Sequence, residues 1–223
     1  MRLPFTVEQF FDVFRLYNLT IWPLQLLLLA LALGAIHAAR RASPNGDRLA
    51  VGILAFLWLW AGGVYHLAFF RPINPLAGLF GVLFIVQAGL FAWFGLRQHR
   101  VAFSRRLNGA AAVGGAVLFY ALLIYPALGY AFGHRFPMMP SFGAPCPLAI
   151  FTFGLLLWAR PPVPGALVII PAFWAVVSTS AAIQLGVYED LGLLLAALIA
   201  TPMLLARARH ARTPRHGRMP RHA

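Results

Sequence analysis

Length, composition and charge place this chain among polytopic membrane proteins. It has 223 residues, of which 61% are hydrophobic and 10% are charged, and several of its apolar runs are about 20 residues long. A soluble domain of this size would need far more polar surface. The net charge of +13 comes from arginine alone, since the sequence has no lysine. These arginines cluster in short loops between apolar runs, which indicates positive-inside topology and argues against nucleic acid as a partner.

The chain begins with a predicted amphipathic helix. Thr6 and Gln9 have the spacing of a capping box, and the apolar residues that follow recur at helical spacing, opposite Glu8, Asp12 and Arg15. We expect residues 1–17 to lie in the membrane interface. Seven predicted spans follow, with the bounds Asn18–His37, Leu49–Phe70, Leu76–Leu96, Leu107–Phe132, Leu148–Ala159, Ala166–Leu185 and Leu191–Ala206. The predicted fold is therefore an all-α transmembrane bundle, with residues 1–206 as a single integral membrane domain.

The fourth span contains small residues four positions apart. Ala110 and Gly114 form one such pair, and Ala111 and Gly115 form another. Small residues at this spacing let a neighbouring helix approach closely. We therefore expect the fourth span to lie at the centre of the bundle.

The fifth span is short and follows a segment rich in proline, Gly133–Pro147. Twelve helical residues cover only about 18 Å of a hydrocarbon core about 30 Å thick. Extended chain at Ala144–Pro147 would supply part of the missing length, and such backbone must be surrounded by other helices or line an aqueous cavity.

Charge indicates that this short segment crosses the membrane. If it only dipped in and returned, the arginines of the tail would lie outside and Glu189 and Asp190 inside, against the positive-inside rule. With seven crossings, the N-terminus is outside and the C-terminus is cytoplasmic. Residues 207–223, rich in arginine and histidine, are expected to form a disordered cytoplasmic tail that contacts anionic lipids.

The same topology places several polar residues on the outer side. Ionisable groups at the membrane are costly to bury, so they are candidates for function. Structural roles are the alternative: His66 could bond a backbone carbonyl, Asn74 could make a turn, and the Glu189–Asp190 pair could cap the last span. The candidate cavity residues are Asn74, Met138, Met139, Glu189 and Asp190, and the candidate metal ligands are His66, His134 and Cys146.

Cys146 is the only cysteine in the sequence. A free cysteine is often a small buried apolar residue. Against that, a thiol at a helix N-terminus is placed for reactivity, and together with His134, Met138 and Met139 it would suit a soft ion such as Cu(I). No Cys-x-x-Cys or His-Glu-x-x-His motif accompanies it.

Several activities are excluded by missing motifs. The sequence has no Walker A, Gly-x-Gly-x-x-Gly or Gly-x-Ser-x-Gly motif. It also has no lysine that could form a retinal Schiff base. Nucleotide-driven transport by this chain and a retinal protein are therefore not expected.

Motifs along nearly the whole chain carry a resemblance to a known group. They are the Thr6–Asn18 segment, Tyr65-His66 through Ile73-Asn74-Pro75, Gly133-His134 through Cys146-Pro147 with Phe151–Gly154, and Gly186–Asp190. In these motifs the chain resembles a family of bacterial polytopic membrane proteins classed as a domain of unknown function. The resemblance implies a single integral domain in the bacterial inner membrane, and no activity or cofactor comes with it.

Three functional classes remain. The first is transport or handling of a small solute or thiophilic metal ion through a cavity open to the periplasm, because transporters use broken segments with polar residues at one mouth. The second is an accessory subunit of a larger membrane complex, or a homo-oligomer. The third is a membrane enzyme acting on a lipid, quinone or thiol.

Overall fold

The computed structural model describes residues 4–212. Within that range the chain forms eight helices and no β-strand longer than an isolated bridge. Six of them, α2 to α5, α7 and α8, are long and apolar enough to cross a membrane, so the fold is an all-α polytopic bundle. The helices are α1 (Val7–Ile21), α2 (Leu24–Arg41), α3 (Pro44–Phe70), α4 (Ala77–Arg97), α5 (Gly109–Ala131), α6 (Pro145–Trp158), α7 (Ala166–Leu185) and α8 (Leu191–Arg212).

The short helix α6 occupies the centre of the bundle. From Pro145 to Leu157 every residue except Cys146 is buried, and α5, α7 and α8 pack around it. Its 14 residues span about 21 Å, which is less than the thickness of a hydrocarbon core. The residues that flank it, Ala144 and Ala159, are buried, as expected for non-helical backbone within a membrane.

Extended backbone at Ala144–Pro147 is a prediction that the structure corrects. Only Ala144 is extended, and the helix begins at Pro145. Proline is compatible with the first turn of a helix because the backbone N–H that it lacks would have no partner there. The helix therefore starts three residues before the predicted Leu148.

The C-terminal end of α6 is closed by two other parts of the chain. Arg207 of α8 donates hydrogen bonds to the carbonyls of Leu157 and Ala159, at 2.9 and 2.8 Å. The backbone N–H of Ser104, in the loop between α4 and α5, donates to the Trp158 carbonyl at 3.1 Å. These bonds satisfy carbonyls that a helix end leaves without partners.

Glycine allows α5 to approach α6 closely. A Cβ added at Gly114 would lie 2.8 Å from the Gly154 carbonyl oxygen and 2.8 Å from the Trp158 ring, whereas one at Gly115 would have only an ordinary contact at 3.9 Å. The predicted close packing is therefore confirmed at Gly114, whereas the prediction for Gly115 is wrong.

Helix α1 starts with the predicted capping box, since Thr6 and Gln9 exchange hydrogen bonds. It extends to Ile21, so the first span begins at Leu24, after the break at Pro23, and not at Asn18. The apolar face of α1 packs against the π-helical end of α3, Ala61–Phe70. At the other terminus α8 continues through Arg212, beyond the predicted boundary at Ala206, because alanine and arginine favour helix and Arg207 is anchored on α6. Residues 213–223 of the predicted tail lie outside the described part of the chain.

Candidate functional site

Two buried carboxyls lie beside the N-terminal end of α6. Glu189 and Asp190 belong to a single 3₁₀ turn, Tyr188–Asp190, that precedes α8, and both are buried. Two tyrosines of α5 hold this turn: the Tyr120 hydroxyl donates to the Glu189 carbonyl at 2.8 Å, and the Tyr125 hydroxyl donates to Asp190 Oδ1 at 2.6 Å. Isolated charges are costly to bury, so an acidic pair at this position is a strong candidate for function.

Glu189 also pairs with a residue that sequence reasoning selected. His134 Nδ1 lies 2.8 Å from Glu189 Oε1, and the His134 side chain is only 14% exposed. A Cβ at Gly129 would lie 3.0 Å from Oε1, so this glycine leaves room for the carboxyl. The other oxygen, Oε2, has no hydrogen-bond partner among the described residues.

Asp190 lies on the wall of a cavity of about 350 Å³, which we call the aromatic cavity. Its lining includes the exposed residues Leu76, Ser180 and Gln184. Cys146 is also on the wall. The rest of the wall is mostly apolar, with the aromatic side chains Phe5, Phe10, Phe14, Tyr65, Phe70, Phe80, Tyr125 and Trp174.

His66 lies behind this wall in the π-helical part of α3. Its ring is fully buried, with its centroid 4.7 Å from that of Phe84 and 5.1 Å from that of Trp174. Neither ring nitrogen has a hydrogen-bond partner within residues 4–212. The alternative in which His66 bonds a backbone carbonyl is therefore wrong.

The predicted metal ligands are not brought together. His66 is enclosed by aromatic rings, His134 pairs with Glu189, and Cys146 lies on the wall of the aromatic cavity. In the part of the chain that the structure describes, no group of three or more His, Cys, Asp or Glu side chains is arranged to hold a metal ion. A site for Cu(I) built from His66, His134 and Cys146 is thus not formed in this structure.

The other predicted cavity residues do not share one location. Asn74 and Asp190 line the aromatic cavity, whereas Glu189 is set behind it on His134. Met138 and His134 line a separate open groove against α1. Met139 serves through its backbone, since its carbonyl accepts a hydrogen bond from Asn18.

Asn18 is an organising residue that sequence reasoning missed. It is fully buried, and its amide donates to the carbonyls of Pro137 and Met139 at 2.7 and 2.8 Å. Its Oδ1 accepts a hydrogen bond from Ser141 at 2.7 Å. These bonds fix the proline-rich loop to α1. The sequence does contain a signal for this role, namely an asparagine on the apolar face of an amphipathic helix.

Tyr17, the neighbour of Asn18, supports the same region. It is fully buried, and its hydroxyl accepts a hydrogen bond from Trp60 Nε1 at 2.9 Å. Burial raises the pKa of this phenol well above its ordinary value. It therefore remains a neutral hydrogen-bonding group.

A row of ionisable groups lies between the groove against α1 and the aromatic cavity. His134 lies at the groove against α1, Glu189 is bonded to it, and Asp190 is next in the chain and borders the aromatic cavity. Rows of His, Glu and Asp inside membrane proteins can carry protons or contact solutes.

Comparison with known proteins supplies a family and no activity. No curated protein and no solved structure matches the chain significantly. A family model does match residues 7–215, which include α1, the spans and the acidic pair. The chain belongs to the family of unknown function DUF6064.

Proposed function

We propose that this protein binds and transports a small organic cation, such as an aromatic amine, through the aromatic cavity. The observation that carries the proposal is a cavity with aromatic walls and a single carboxyl, that of Asp190. All of its lining residues lie within the described part of the chain, and none of them is basic. Aromatic faces and a carboxylate together attract cations that are too apolar to remain fully hydrated.

The size and position of the cavity support a solute of this kind. Ligand cavities are usually about 300–1,000 Å³ with a few polar groups among apolar walls, and this cavity has about 350 Å³. It lies beside a short, buried helix, where transporters commonly place substrates. Thiophilic metal transport gains no comparable support, because the described side chains offer no ligand cluster.

The row His134, Glu189 and Asp190 suggests how transport could be coupled. Protonation of this row would reduce the negative charge beside the cavity and weaken its attraction for a cation. Exchange of a proton for the solute is therefore the coupling that we propose.

The proposal includes an orientation and a location. We place the protein in a bacterial inner membrane with seven crossings, the seventh being α6, and with the aromatic cavity on the periplasmic side. Support comes from the arginine distribution. The sequence assigns Arg2, Arg15, Arg71 and Arg135 to the outer side. The larger cytoplasmic set is Arg40, Arg41, Arg48, Arg97, Arg100, Arg105, Arg106, Arg160, Arg207, Arg209, Arg212, Arg215, Arg218 and Arg221.

Binding to purified protein is the direct test. We expect tryptamine and benzylamine to raise the melting temperature of the wild type in detergent, and Asp190→Asn to weaken binding by about tenfold, since it removes the only charge on the wall. Ala181→Phe should abolish binding because Ala181 lines the cavity. The matched control is Val176→Phe on the same helix, where the side chain is 66% exposed and lies outside the cavity.

Transport in proteoliposomes completes the test. Labelled amine should accumulate when a pH gradient is imposed, and the Asp190→Asn protein should lose this uptake. Amine binding that survives Ala181→Phe would overturn the assignment of the cavity. Absence of any binding, with recovery of the protein only alongside another membrane protein, would favour an accessory subunit instead.

A further inference from the structure

We propose that the opposite end of the bundle binds one anionic phospholipid, with the phosphate among arginines and an acyl chain along α5. An open cavity of about 1000 Å³ lies beside the C-terminal end of α6. We call this region the arginine end. Its lining includes five arginines: Arg41, Arg105, Arg106, Arg160 and Arg207.

These charges are not neutralised by the protein. In the described part of the chain no ion pair is found for these five arginines; the pairs Arg15 with Asp12 and His134 with Glu189 lie elsewhere. The Nε of Arg105 donates to the Arg40 carbonyl and that of Arg160 donates to the Phe103 carbonyl. These bonds hold the side chains in place and leave their terminal nitrogens for a ligand, and guanidinium groups bind phosphate in a bidentate manner.

Arg207 has a different role at the same site. Its two terminal nitrogens are already bonded to the carbonyls of Leu157 and Ala159. It therefore adds positive charge to the floor of the cavity, while Arg41, Arg105, Arg106 and Arg160 provide the available donors. Four exposed arginines without carboxylate partners repel one another, and a phosphate would relieve that repulsion.

A second feature indicates that the phosphate belongs to a lipid. A groove of about 380 Å³ shares Ser104, Arg105 and Arg106 with the arginine cavity. It then continues over the small residues Ala111, Ala112 and Gly115 of α5 and over the Trp158 ring. Nothing in a free phosphate would use such an apolar extension, whereas an acyl chain would fill it.

Leu107 marks the boundary between the two parts. It is 93% exposed and lies between Arg106 and Asn108, the N-cap residue of α5. An apolar side chain next to arginines is typical of the depth at which headgroups meet acyl chains. The arginine end therefore matches an anionic phospholipid in both charge and polarity, independently of the aromatic cavity.

Lipid titration of delipidated protein tests this site. We expect phosphatidylglycerol to raise the melting temperature of the wild type, and phosphatidylcholine with the same acyl chains to have little effect. The double variant Arg105→Gln/Arg106→Gln should need about tenfold more phosphatidylglycerol for the same shift, because two juxtamembrane charges are lost. Arg97→Gln/Arg100→Gln is the matched control, since it removes the same charge outside the cavity.

The acyl groove is tested separately with Ala112→Phe. Ala112 is exposed and lines the groove, so this variant should fold and should weaken the response to phosphatidylglycerol. Inorganic phosphate that stabilises the protein as well as the lipid does would overturn the proposal in favour of a free-anion site. An equal loss of response in the Arg97→Gln/Arg100→Gln protein would overturn it in favour of diffuse attraction.

Discussion

The two ends of α6 differ in how completely the polar groups around them are hydrogen-bonded. At the arginine end the carbonyls of Leu157, Trp158 and Ala159 each accept a hydrogen bond from Arg207 or from the loop between α4 and α5. At the other end Glu189 Oε2 and both ring nitrogens of His66 have no partner among the described residues, and the aromatic cavity lies between this end and the surface. One end of the same helix is closed, and the other is left open with polar groups unsatisfied.

This difference distinguishes an end of α6 that has a structural role from an end that is a candidate for function. A buried polar group without a partner costs roughly 1–3 kcal/mol, and a chain that satisfies one helix end so completely has the means to satisfy the other. Local violations of good packing are expected at functional sites. The comparison therefore supports the proposed solute site at the open end, and it is consistent with the arginine end fixing α6 and forming the proposed lipid site.

The prediction with the largest expected effect concerns the side of the membrane on which each end of α6 lies. A reporter active only in the periplasm should give signal when fused after Gly186, near the aromatic cavity, and none when fused after Arg160, at the arginine end. The arginine asymmetry determines both results. The reverse pattern would place the aromatic cavity on the cytoplasmic side and would contradict the proposed orientation.

A second prediction concerns the packing of α6 near its closed end. Gly114→Leu should lower the free energy of unfolding by about 3 kcal/mol, because the new side chain would meet the Gly154 backbone and Trp158. Gly115→Leu is the matched control. Its Cβ has space, so we expect a change of less than about 1 kcal/mol. Thermal unfolding in detergent measures both, and equal destabilisation would show that the two faces of α5 are equivalent.

Much of the fold could be predicted because it depends on apolar length and charge. Six long apolar helices are confirmed, and the capping box at Thr6 is confirmed because its signal is local. Boundaries at proline were less accurate. Pro23 ends α1, and Pro145 begins α6, since proline stops a preceding helix but is compatible with a first turn.

The site was predicted in part for the same reason. Topology alone assigned Asn74, Cys146 and Asp190 to one side of the membrane, and these three do line the same cavity. Pairwise geometry could not be predicted, because rotation of each helix decides which side chains meet. His66 thus packs against Trp174 and His134 against Glu189, where a shared metal site was expected.

The smallest expected effect is a rate, the reaction of Cys146 with a small membrane-impermeant thiol reagent. Cys146 is partly exposed on the wall of the aromatic cavity, so the reagent should reach it slowly from outside. Ala181→Phe should slow labelling several-fold by filling the cavity, whereas Val176→Phe should leave the rate unchanged, since Val176 is exposed and lies outside the cavity. Benzylamine should protect the thiol in the wild type and not in Asp190→Asn, because protection requires the amine to be held beside that carboxyl. Labelling that is equally fast in all four proteins would mean that the reagent reaches Cys146 by a route other than the cavity. That result would contradict the proposed solute site at the open end of α6.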